Sequence, residues 1–355
     1  MRMRVLIAMD KYKGCLSAVQ AGEAVKRGLK KALPGVATML CPIADGGEGF
    51  TDTLVAALKA EWMEVPVQDA IGRPVMARYG LTKDGVAVME MSAASGLAMV
   101  SDQPLQPEIA STFGTGQMMR DAIGRGAKKI IIGIGGSATN DGGRGMAEAL
   151  GFVFTQTGIA CPAPISCEVL VACDVDNPLL GERGATRVYG AQKGVQDFDF
   201  FETRMRTFAD LVTSALGVDH RNEPGAGAAG GLGFGLMSFC QARLISGFDL
   251  VADITQLEAR MAEADLVITG EGKVDGQTLH GKGPAGVAEM ARRHGKPVIA
   301  VAGMVEDSPA VHARFDLALS VKPEAMPLAE AIQRGEELIE ETVARHAAQF
   351  RELVL

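Results

Sequence analysis

Residues 5–14 have the sequence VLIAMDKYKG, in which a short apolar run ends at an acidic residue and two lysines before a glycine. The same order of apolar run, polar loop and amphipathic stretch recurs at residues 36–60 and at residues 266–301. This alternation is typical of parallel strands joined by crossover helices. The two ends of the chain, residues 1–61 and 261–355, therefore predict one discontinuous α/β domain with a parallel sheet.

The middle of the chain has a different pattern. Short runs of strand-forming residues separated by turn signals predict antiparallel hairpins at residues 62–67, 75–81 and 86–90. Further apolar runs follow at residues 129–134 and 168–173. We therefore predict that residues 62–260 form a second, mixed α/β domain inserted into the first.

Composition excludes several classes of protein. With 355 residues, 47% of them apolar, the chain is long enough for about two domains. A formal charge of -8 argues against nucleic-acid binding, so a few placed cations must hold any anionic substrate. The sequence shows neither a signal peptide nor an apolar stretch of the ~18 to 20 residues that span a membrane. The cysteines and histidines show no metal-ligand spacing, so we expect a cytoplasmic protein with reduced thiols.

Two predicted strands end in loops that carry acids and glycines. Ligands of open parallel sheets bind at the carboxyl ends of the strands, so in the first loop Asp10 is a candidate base, and Lys11 and Lys13 are candidates for an anion clamp. The second loop opens a predicted helix, where backbone N–H groups favour anions, and it contains Asp45, Gly46, Gly47 and Glu48. A capped turn is the structural alternative for both loops.

The loop richest in glycine is residues 133–145, GIGGSATNDGGRG. Gly133, Gly135 and Ala138 match the GxGxxG/A spacing of dinucleotide sites, but no acidic residue follows about 20 positions later to bind a ribose. The oxygen-bearing side chains of this loop suit phosphate or Mg²⁺ better. Its candidate ligands are Gly135, Gly136, Ser137, Asn140 and Asp141, and a purely structural loop is the alternative.

Two further glycine patterns carry less information. Residues 225–230 repeat the GxGxxG spacing without a preceding strand, so they form either a flexible nucleotide-facing loop or a close-packed helix start. Residues 276–283 have the GxxxxGK spacing, but Gly283 replaces the Ser or Thr of a Walker A loop. We interpret Lys282 as a separate phosphate-binding cation and Asp275 as a metal ligand.

Five ordered motifs resemble those of bacterial class I glycerate kinases, and together they span nearly the whole chain: AMDKYKG (8–14), PIADGGEG (42–49), GIGGSATNDGG (133–143), ACDVDNPL (172–179) and TGEGKVD (269–275). The resemblance implies a two-domain α/β enzyme in which one domain is flavodoxin- or Rossmann-like. It also implies transfer of the ATP γ-phosphoryl group to D-glycerate with Mg²⁺. The usual product would be 2-phosphoglycerate, in glycolate, glyoxylate or sugar-acid catabolism.

The chemistry of these residues suggests a mechanism. We expect glycerate in a cleft between the two domains, with its carboxylate held by Lys13 and, as a second candidate, Arg73. Asp45 or Asp174 would activate the C2 hydroxyl, and Asp10 is a further catalytic candidate. The ATP phosphates and Mg²⁺ would meet Ser137, Asn140, Asp141, Lys193, Lys282 and Asp275.

Other functions stay open at this point. A nicotinamide-dependent oxidoreductase would rest on the two GxGxxG patterns, and a non-enzymatic protein that binds small carboxylates needs the same cleft without phosphoryl transfer. Transfer to O3 of glycerate, giving 3-phosphoglycerate, is the less favoured regiochemistry. The sequence does not decide between a monomer and a homodimer.

Overall fold

The computed structural model describes most of the chain, namely residues 2–155, 158–160, 165–276, 278 and 283–354. It divides into two compact units. Unit 1 is discontinuous and combines Met1–Asp45 with Phe248–Leu355. Unit 2 is the continuous segment Gly46–Gly247.

The strands of the described residues are, in chain order, β1 (Arg4–Met9), β2 (Ala37–Leu40), β3 (Glu61–Gln68), β4 (Pro74–Leu81), β5 (Val86–Glu90), β6 (Lys129–Gly133), β7 (Val153–Phe154), β8 (Ile159–Ala160), β9 (Glu168–Ala172), β10 (Arg243–Ile245), β11 (Leu266–Gly270), β12 (Lys273–Val274), β13 (Val298–Ala302), β14 (Met304–Val305) and β15 (Leu317–Ser320).

The α-helices are α1 (Ala18–Ala32), α2 (Phe50–Leu58), α3 (Ser92–Ser95), α4 (Phe113–Gly124), α5 (Arg144–Ala149), α6 (Ala185–Tyr189), α7 (Phe198–Leu216), α8 (Ala228–Cys240), α9 (Gly247–Thr255), α10 (Leu257–Glu263), α11 (Pro284–Arg293), α12 (Pro309–His312), α13 (Leu328–Gln333) and α14 (Gly335–Glu352). Short 3₁₀ helices lie at Leu97–Val100 and Ala191–Lys193. Over the described ranges, no helix combines the length and the apolar character that crossing a membrane would require.

Unit 1 is built on a parallel five-stranded sheet with the order β15-β13-β11-β1-β2. Val5 and Ile7 of β1 pack in a core with α1 and α14, whereas Leu6 and Ala8 pack in a second core with residues of α9, α10 and α11. A parallel sheet covered on both faces needs apolar residues at successive positions. This is why residues 5–9 read as an unbroken apolar run, and the predicted parallel-sheet domain is confirmed.

Helix α1 is fixed at its start by a capping box and along its length by the C-terminal helix. The Ser17 hydroxyl accepts from the Gln20 N–H, and the Gln20 side chain accepts from the Ser17 N–H. A Cβ atom on Gly28 would lie 2.5 Å from the carbonyl oxygen of Glu340 in α14, so glycine allows the two helices to approach closely. The C-terminal segment therefore has a packing role.

Unit 2 contains a mixed six-stranded sheet with the order β10-β9-β6-β5-β4-β3. The hairpin strands β3, β4 and β5 pair antiparallel, as predicted, and β5, β6, β9 and β10 pair parallel. Residues of α4, α5, α7 and α8 form a core with this sheet. The predicted mixed α/β domain is confirmed as a fold class.

The units divide the chain after Asp45 and after Gly247, rather than after residues 61 and 260 as the sequence suggested. Helix α2 belongs to unit 2 because Val55 packs against Gly80 of β4, where a side chain would collide with it. Helix α9 belongs to unit 1 because Phe248 lies against Gly286 of α11 and joins a core of that unit. The first boundary thus falls inside the second sequence motif.

Candidate active site

Three carboxylates follow neighbouring strands of the unit 1 sheet. Asp10 comes directly after β1, Asp45 lies in the loop after β2, and Glu271 comes directly after β11. The N–H of Asp10 donates to the carbonyl oxygen of Gly270 at 2.8 Å, which ties the ends of β1 and β11 together. We call these three residues the strand-end carboxylates, and they lie at the sheet edge where parallel sheets bind ligands.

Asp10 is the most deeply buried of the three, with 5% of its surface exposed. Its Oδ1 accepts a hydrogen bond from the N–H of Lys11 at 2.6 Å. Burial is the main cause that raises the pKa of Asp10 to about 7; Asp45 and Glu271 also raise this pKa, whereas Lys11 lowers it. A carboxyl group with such a pKa can exchange a proton near neutral pH.

The two lysines of the first loop have different surroundings. Lys11 Nζ lies 3.2 Å from Asp45 Oδ1 and 3.9 Å from Asp10 Oδ1, so its charge stands between two carboxylates. Lys13 is exposed and forms no ion pair with any residue that the structure describes. Between them, the buried Tyr12 donates from its hydroxyl to the carbonyl oxygen of Val301 at 2.6 Å, which anchors the loop.

Two acidic residues, Glu271 and Asp275, follow β11. Glu271 is partly buried, which raises its pKa, and its Oε1 accepts from the Thr278 hydroxyl at 2.8 Å. Asp275 pairs with Lys273 at 2.9 Å and accepts from the Thr278 N–H at 3.3 Å. Gly283, the residue before α11, is also close, because a Cβ atom there would lie 3.2 Å from Asp10 Oδ2.

In unit 2, two glycine-rich loops lie directly against each other. A Cβ atom on Gly133 would lie 2.6 Å from the carbonyl oxygen of Gly46, and one on Gly135 would lie 2.8 Å from Gly47 Cα. Gly46 also has a φ of +85°, and a Cβ atom on Gly46 would meet the Ala172 side chain at the end of β9. Only glycine permits this approach, so we call Gly46, Gly47, Gly133 and Gly135 the glycine contact.

The start of α2 already holds a carboxylate. Glu90, the last residue of β5, accepts at Oε1 from the Thr51 N–H in the first turn of the helix, at 2.7 Å. The sequence had suggested that free N–H groups here would bind an anion. Glu90 already accepts from the Thr51 N–H, so this N–H is not left for a substrate anion.

Lys193 is a buried cation behind the loop of residues 133–145. Only 2% of its surface is exposed, and its Nζ donates to Ser137 Oγ at 2.8 Å and to the Thr139 carbonyl oxygen at 2.7 Å. Burial lowers its pKa to about 7, although the charge of Asp141 opposes this shift. Lys193 therefore positions Ser137 and the glycine-rich backbone from within the protein.

Asn140 and Asp141 face inward as well. Asn140 donates to the Thr186 hydroxyl at 3.0 Å, and its buried Oδ1 has no hydrogen-bond partner in the described structure. Asp141 accepts four hydrogen bonds at 2.8 to 3.1 Å, from two donors of Thr112 and from the N–H groups of Gly143 and Gly145. A carboxylate offers about four such positions, so Asp141 fixes the turn and has little capacity left for a metal ion.

Residues 225–230 are close-packed. Of the two interpretations of this pattern, the structure therefore shows the close-packed helix start. The carbonyl oxygen of Gly230 accepts from the Gly142 N–H at 3.0 Å, and a side chain on Gly230 would collide with Thr139. Three consecutive residues, Ala229 to Gly231, have positive φ and kink the start of α8. The glycines therefore support the 133–145 loop.

Asp174 lies at the carboxyl end of β9 and is exposed. Its Oδ1 accepts from the Ser246 hydroxyl at 2.9 Å and from the Gly247 N–H at 3.1 Å. These bonds join the end of β9 to the chain after β10. The carboxylate is thus fixed in orientation while it stays accessible.

The chain is similar to known proteins over nearly its whole length. A model of the glycerate kinase family matches residues 5–161 and 160–351. The chain belongs to the glycerate kinase family. A glycerate kinase of Bacillus subtilis (strain 168) is 43% identical over 98% of both chains, and a glycerate 2-kinase of Escherichia coli (strain K12) is 40% identical over 86% of both. A crystal structure of a candidate glycerate kinase 2 from Salmonella typhimurium LT2 has a TM-score of 0.89 and 39% identity, and 99% of each chain is covered.

The predicted site residues of this glycerate kinase fall into two groups, one in each unit. Unit 1 contains Asp10 and Lys13 in the loop after β1, Asp45 after β2 and Asp275 after β12. The other predicted residues that the structure describes belong to unit 2. The loop before α2 contains Gly46, Gly47 and Glu48, and the loop after β6 contains Gly135, Gly136, Ser137, Asn140 and Asp141. Asp174 follows β9, and Lys193 lies in the 3₁₀ helix Ala191–Lys193. Lys282 lies outside the described residues.

Arg73 does not offer a free guanidinium group. It lies in the turn between β3 and β4, where it pairs with Asp69 and Asp102 and donates to the carbonyl oxygen of Met99. These contacts join the turn to the segment that contains Met99 and Asp102. Arg73 is therefore a weaker candidate for the substrate carboxylate than Lys13.

The sequence suggested Lys11 only as one of two possible anion-binding cations in the first loop, and it suggested no role for Glu271 or Glu90. Glu271 follows β11 as Asp10 follows β1, so the strand-end rule that selected Asp10 would have selected Glu271 too. Lys11 stood in a quoted motif, but its sequence position alone does not show which carboxylates it meets. The contact of Glu90 with α2 depends on tertiary packing that the sequence does not reveal.

The described ranges contain no group of three or more His, Cys, Asp and Glu residues that could hold a metal ion. Mg²⁺ in kinases is commonly bound by one or two carboxylates together with substrate phosphates, and it keeps several waters. A carboxylate such as Asp275 fits Mg²⁺ that arrives with ATP. The described residues do not form a metal centre made of protein ligands alone.

Proposed function

We propose that the chain is an ATP-dependent glycerate kinase that transfers the γ-phosphoryl group to O2 of D-glycerate and releases 2-phosphoglycerate and ADP. The observation that carries the proposal is the 40% identity to a protein named glycerate 2-kinase over 86% of both chains. The acids and Lys13 at strand ends of unit 1 support it, as do the glycine loops at strand ends of unit 2, because phosphoryl transfer depends on positioning and on charge neutralisation.

Lys13 is the proposed ligand of the glycerate carboxylate. It is exposed and forms no ion pair within the described parts of the chain, so no internal contact has to break when an anion binds. The neighbouring Lys11 is engaged with Asp45 and Asp10 instead. The guanidinium group of Arg73 donates to Asp69, Asp102 and the carbonyl oxygen of Met99, so we assign it no direct contact with substrate.

Asp10 is the proposed base. In the reaction, the acceptor hydroxyl oxygen forms a bond to the γ-phosphorus, the bond from that phosphorus to the bridging oxygen of ADP breaks, and the hydroxyl proton passes to a carboxylate. A pKa of about 7 makes Asp10 a stronger base than an ordinary carboxylate. Asp45 lies beside the same lysine and could orient the hydroxyl, and Asp174 is the alternative base in unit 2.

The loop of residues 133–145 is the proposed phosphate-binding element. Lys193 reaches this loop only through Ser137 and Thr139, so we assign it the role of supporting Ser137 rather than of touching phosphate. Gly136 has a φ of +73° and, with Gly135, offers backbone close to the Ser137 hydroxyl. When bound with ATP, Mg²⁺ would neutralise charge on the phosphates, and Asp275 is the better of the two predicted ligands because Asp141 already accepts four hydrogen bonds.

A single reaction mixture tests both activity and regiochemistry. We expect ADP to form from ATP and Mg²⁺ only when D-glycerate is present. The ³¹P NMR signal of the product should be split into a doublet by the single proton on C2, whereas phosphate on O3 would couple to two protons and give a triplet. No glycerate-dependent ADP would contradict the kinase assignment, and a triplet would contradict only the assignment to O2.

The oxidoreductase alternative loses its structural basis. Both GxGxxG patterns use their glycines for internal contacts, with Gly46 and Gly47 in one case and with Thr139 and Gly142 in the other. A dinucleotide site needs such glycines to face the pyrophosphate. Binding of NADH without binding of ATP would restore this alternative.

A further inference from the structure

The loop after β1 carries a second cation whose contacts set it apart from the substrate lysine. Lys11 Nζ lies 3.2 Å from Asp45 Oδ1 and 3.9 Å from Asp10 Oδ1. Its side chain is only 20% exposed, whereas Lys13 in the same loop is exposed. Lys11 lies between the two carboxylates, so its positive charge can attract both of them.

The charges around Asp10 show what Lys11 can do. The carboxylates of Asp45 and Glu271 disfavour a second negative charge at Asp10, and burial disfavours it more strongly. Lys11 opposes both effects, through its ammonium group and through the 2.6 Å hydrogen bond from its backbone N–H. Among the charged groups that face Asp10 in the described residues, it is the one that favours the ionised form.

We infer that Lys11 is a positioning residue for phosphoryl transfer, because its ammonium group lies between the carboxylates of Asp10 and Asp45, holds them together and favours a negative charge at Asp10. The inference rests on the proposed function, in which Asp10 receives the hydroxyl proton. Lys11 itself touches neither the hydroxyl nor the phosphate in this scheme. It acts through the carboxylates, so its loss should change the pH at which the enzyme works.

The first test compares the pH dependence of kcat in the wild type with Lys11→Met, Lys11→Arg and Lys13→Met. Activity of the wild type should rise with pH through about 7, as Asp10 loses its proton. In Lys11→Met this rise should move up by about one pH unit, because an opposite charge at this range commonly shifts a carboxyl pKa by that much or more. Lys11→Arg should restore the wild-type profile.

Lys13→Met is the matched control, since it removes the same charge two residues away. It should raise the KM for glycerate and leave the pH of the rise unchanged. A shift of the same size in Lys13→Met would show a general charge effect and would overturn the specific role of Lys11. An unshifted profile in Lys11→Met would overturn it as well.

The second test does not depend on catalysis. Titration of ¹³C-labelled aspartate carboxyls by NMR, with the Asp10 signal assigned from Asp10→Asn, should give a higher midpoint in Lys11→Met than in the wild type. An unchanged midpoint would refute the role of Lys11 even in an active enzyme. Absence of glycerate-dependent ADP formation by the wild type would instead refute the proposed function, so the two failures can be told apart.

Discussion

The burial that suits Asp10 to its proposed role as a base also lowers the stability of the folded chain. The pKa of Asp10 rises from an ordinary 3.8 to about 7 in the folded chain, so the native state holds more protons than the unfolded state between these values. Stability from this group is therefore highest below pH 4 and falls as pH rises to about 7. At 1.36 kcal/mol per pKa unit, the full effect above pH 7 is at most about 4 kcal/mol.

Asp10→Asn should therefore separate activity from stability. We expect kcat to fall by about 10²-fold or more, because the amide cannot accept the hydroxyl proton. We also expect the variant to melt a few degrees higher than the wild type at pH 8, since the neutral amide avoids the cost of a buried charge. Near pH 4 the two melting temperatures should converge, which differential scanning calorimetry would show.

Asp45→Asn provides the comparison at an exposed position. The Asp45 side chain is 50% exposed and pairs with Lys11, so its removal relieves no comparable burial. No gain in melting temperature is expected for this variant at pH 8. If Asp10→Asn melted below the wild type at pH 8, the burial argument for Asp10 would be wrong.

At the scale of elements, much of this architecture could be predicted from the sequence. Strand β1, helix α1 with its Ser17 cap and the hairpin strands β3 and β4 follow from local periodicity and turn residues, which act over a few positions. The contact between Gly46 and Gly133 joins loops far apart in sequence. Local patterns contain no information on such a partner. The sequence therefore suggested a ligand site in both of these glycine loops, with a structural role as the alternative.

A change from glycine to alanine should have opposite effects at two positions, one inside the glycine contact and one outside it. In Gly133→Ala, the new methyl group would meet the carbonyl oxygen of Gly46 and the Phe50 ring, and we expect a loss of about 1 to 3 kcal/mol together with reduced turnover. Gly124, near the end of α4, has open space around it. Gly124→Ala should be neutral or up to about 1 kcal/mol more stable, as alanine favours helix.

Urea unfolding measures both glycine variants in the same way. The midpoint of Gly133→Ala should lie below that of the wild type, and the midpoint of Gly124→Ala should lie at or above it. Equal midpoints for Gly133→Ala and the wild type would show that the two loops can separate without cost. The close approach would then have no role in the fold.

At the scale of the whole molecule, the two units differ in how the chain builds them. Unit 2 is continuous from Gly46 to Gly247 and contains all six strands of its sheet and its own core. Unit 1 takes β1 and β2 from the N-terminal segment and β11, β13 and β15 from the C-terminal one. Because β1 lies between β11 and β2, neither segment alone completes that sheet.

We therefore expect residues 46–247, expressed alone, to fold into a domain with a cooperative thermal transition and dispersed amide signals in NMR. Residues 1–45, expressed alone, should show neither property, because the faces of β1 and α1 would lose the C-terminal residues that cover them. The folded fragment should not phosphorylate glycerate, since it lacks Asp10, Lys11 and Lys13. A fragment 46–247 without a cooperative transition would show that the second unit depends on the first for its stability, despite having a core of its own.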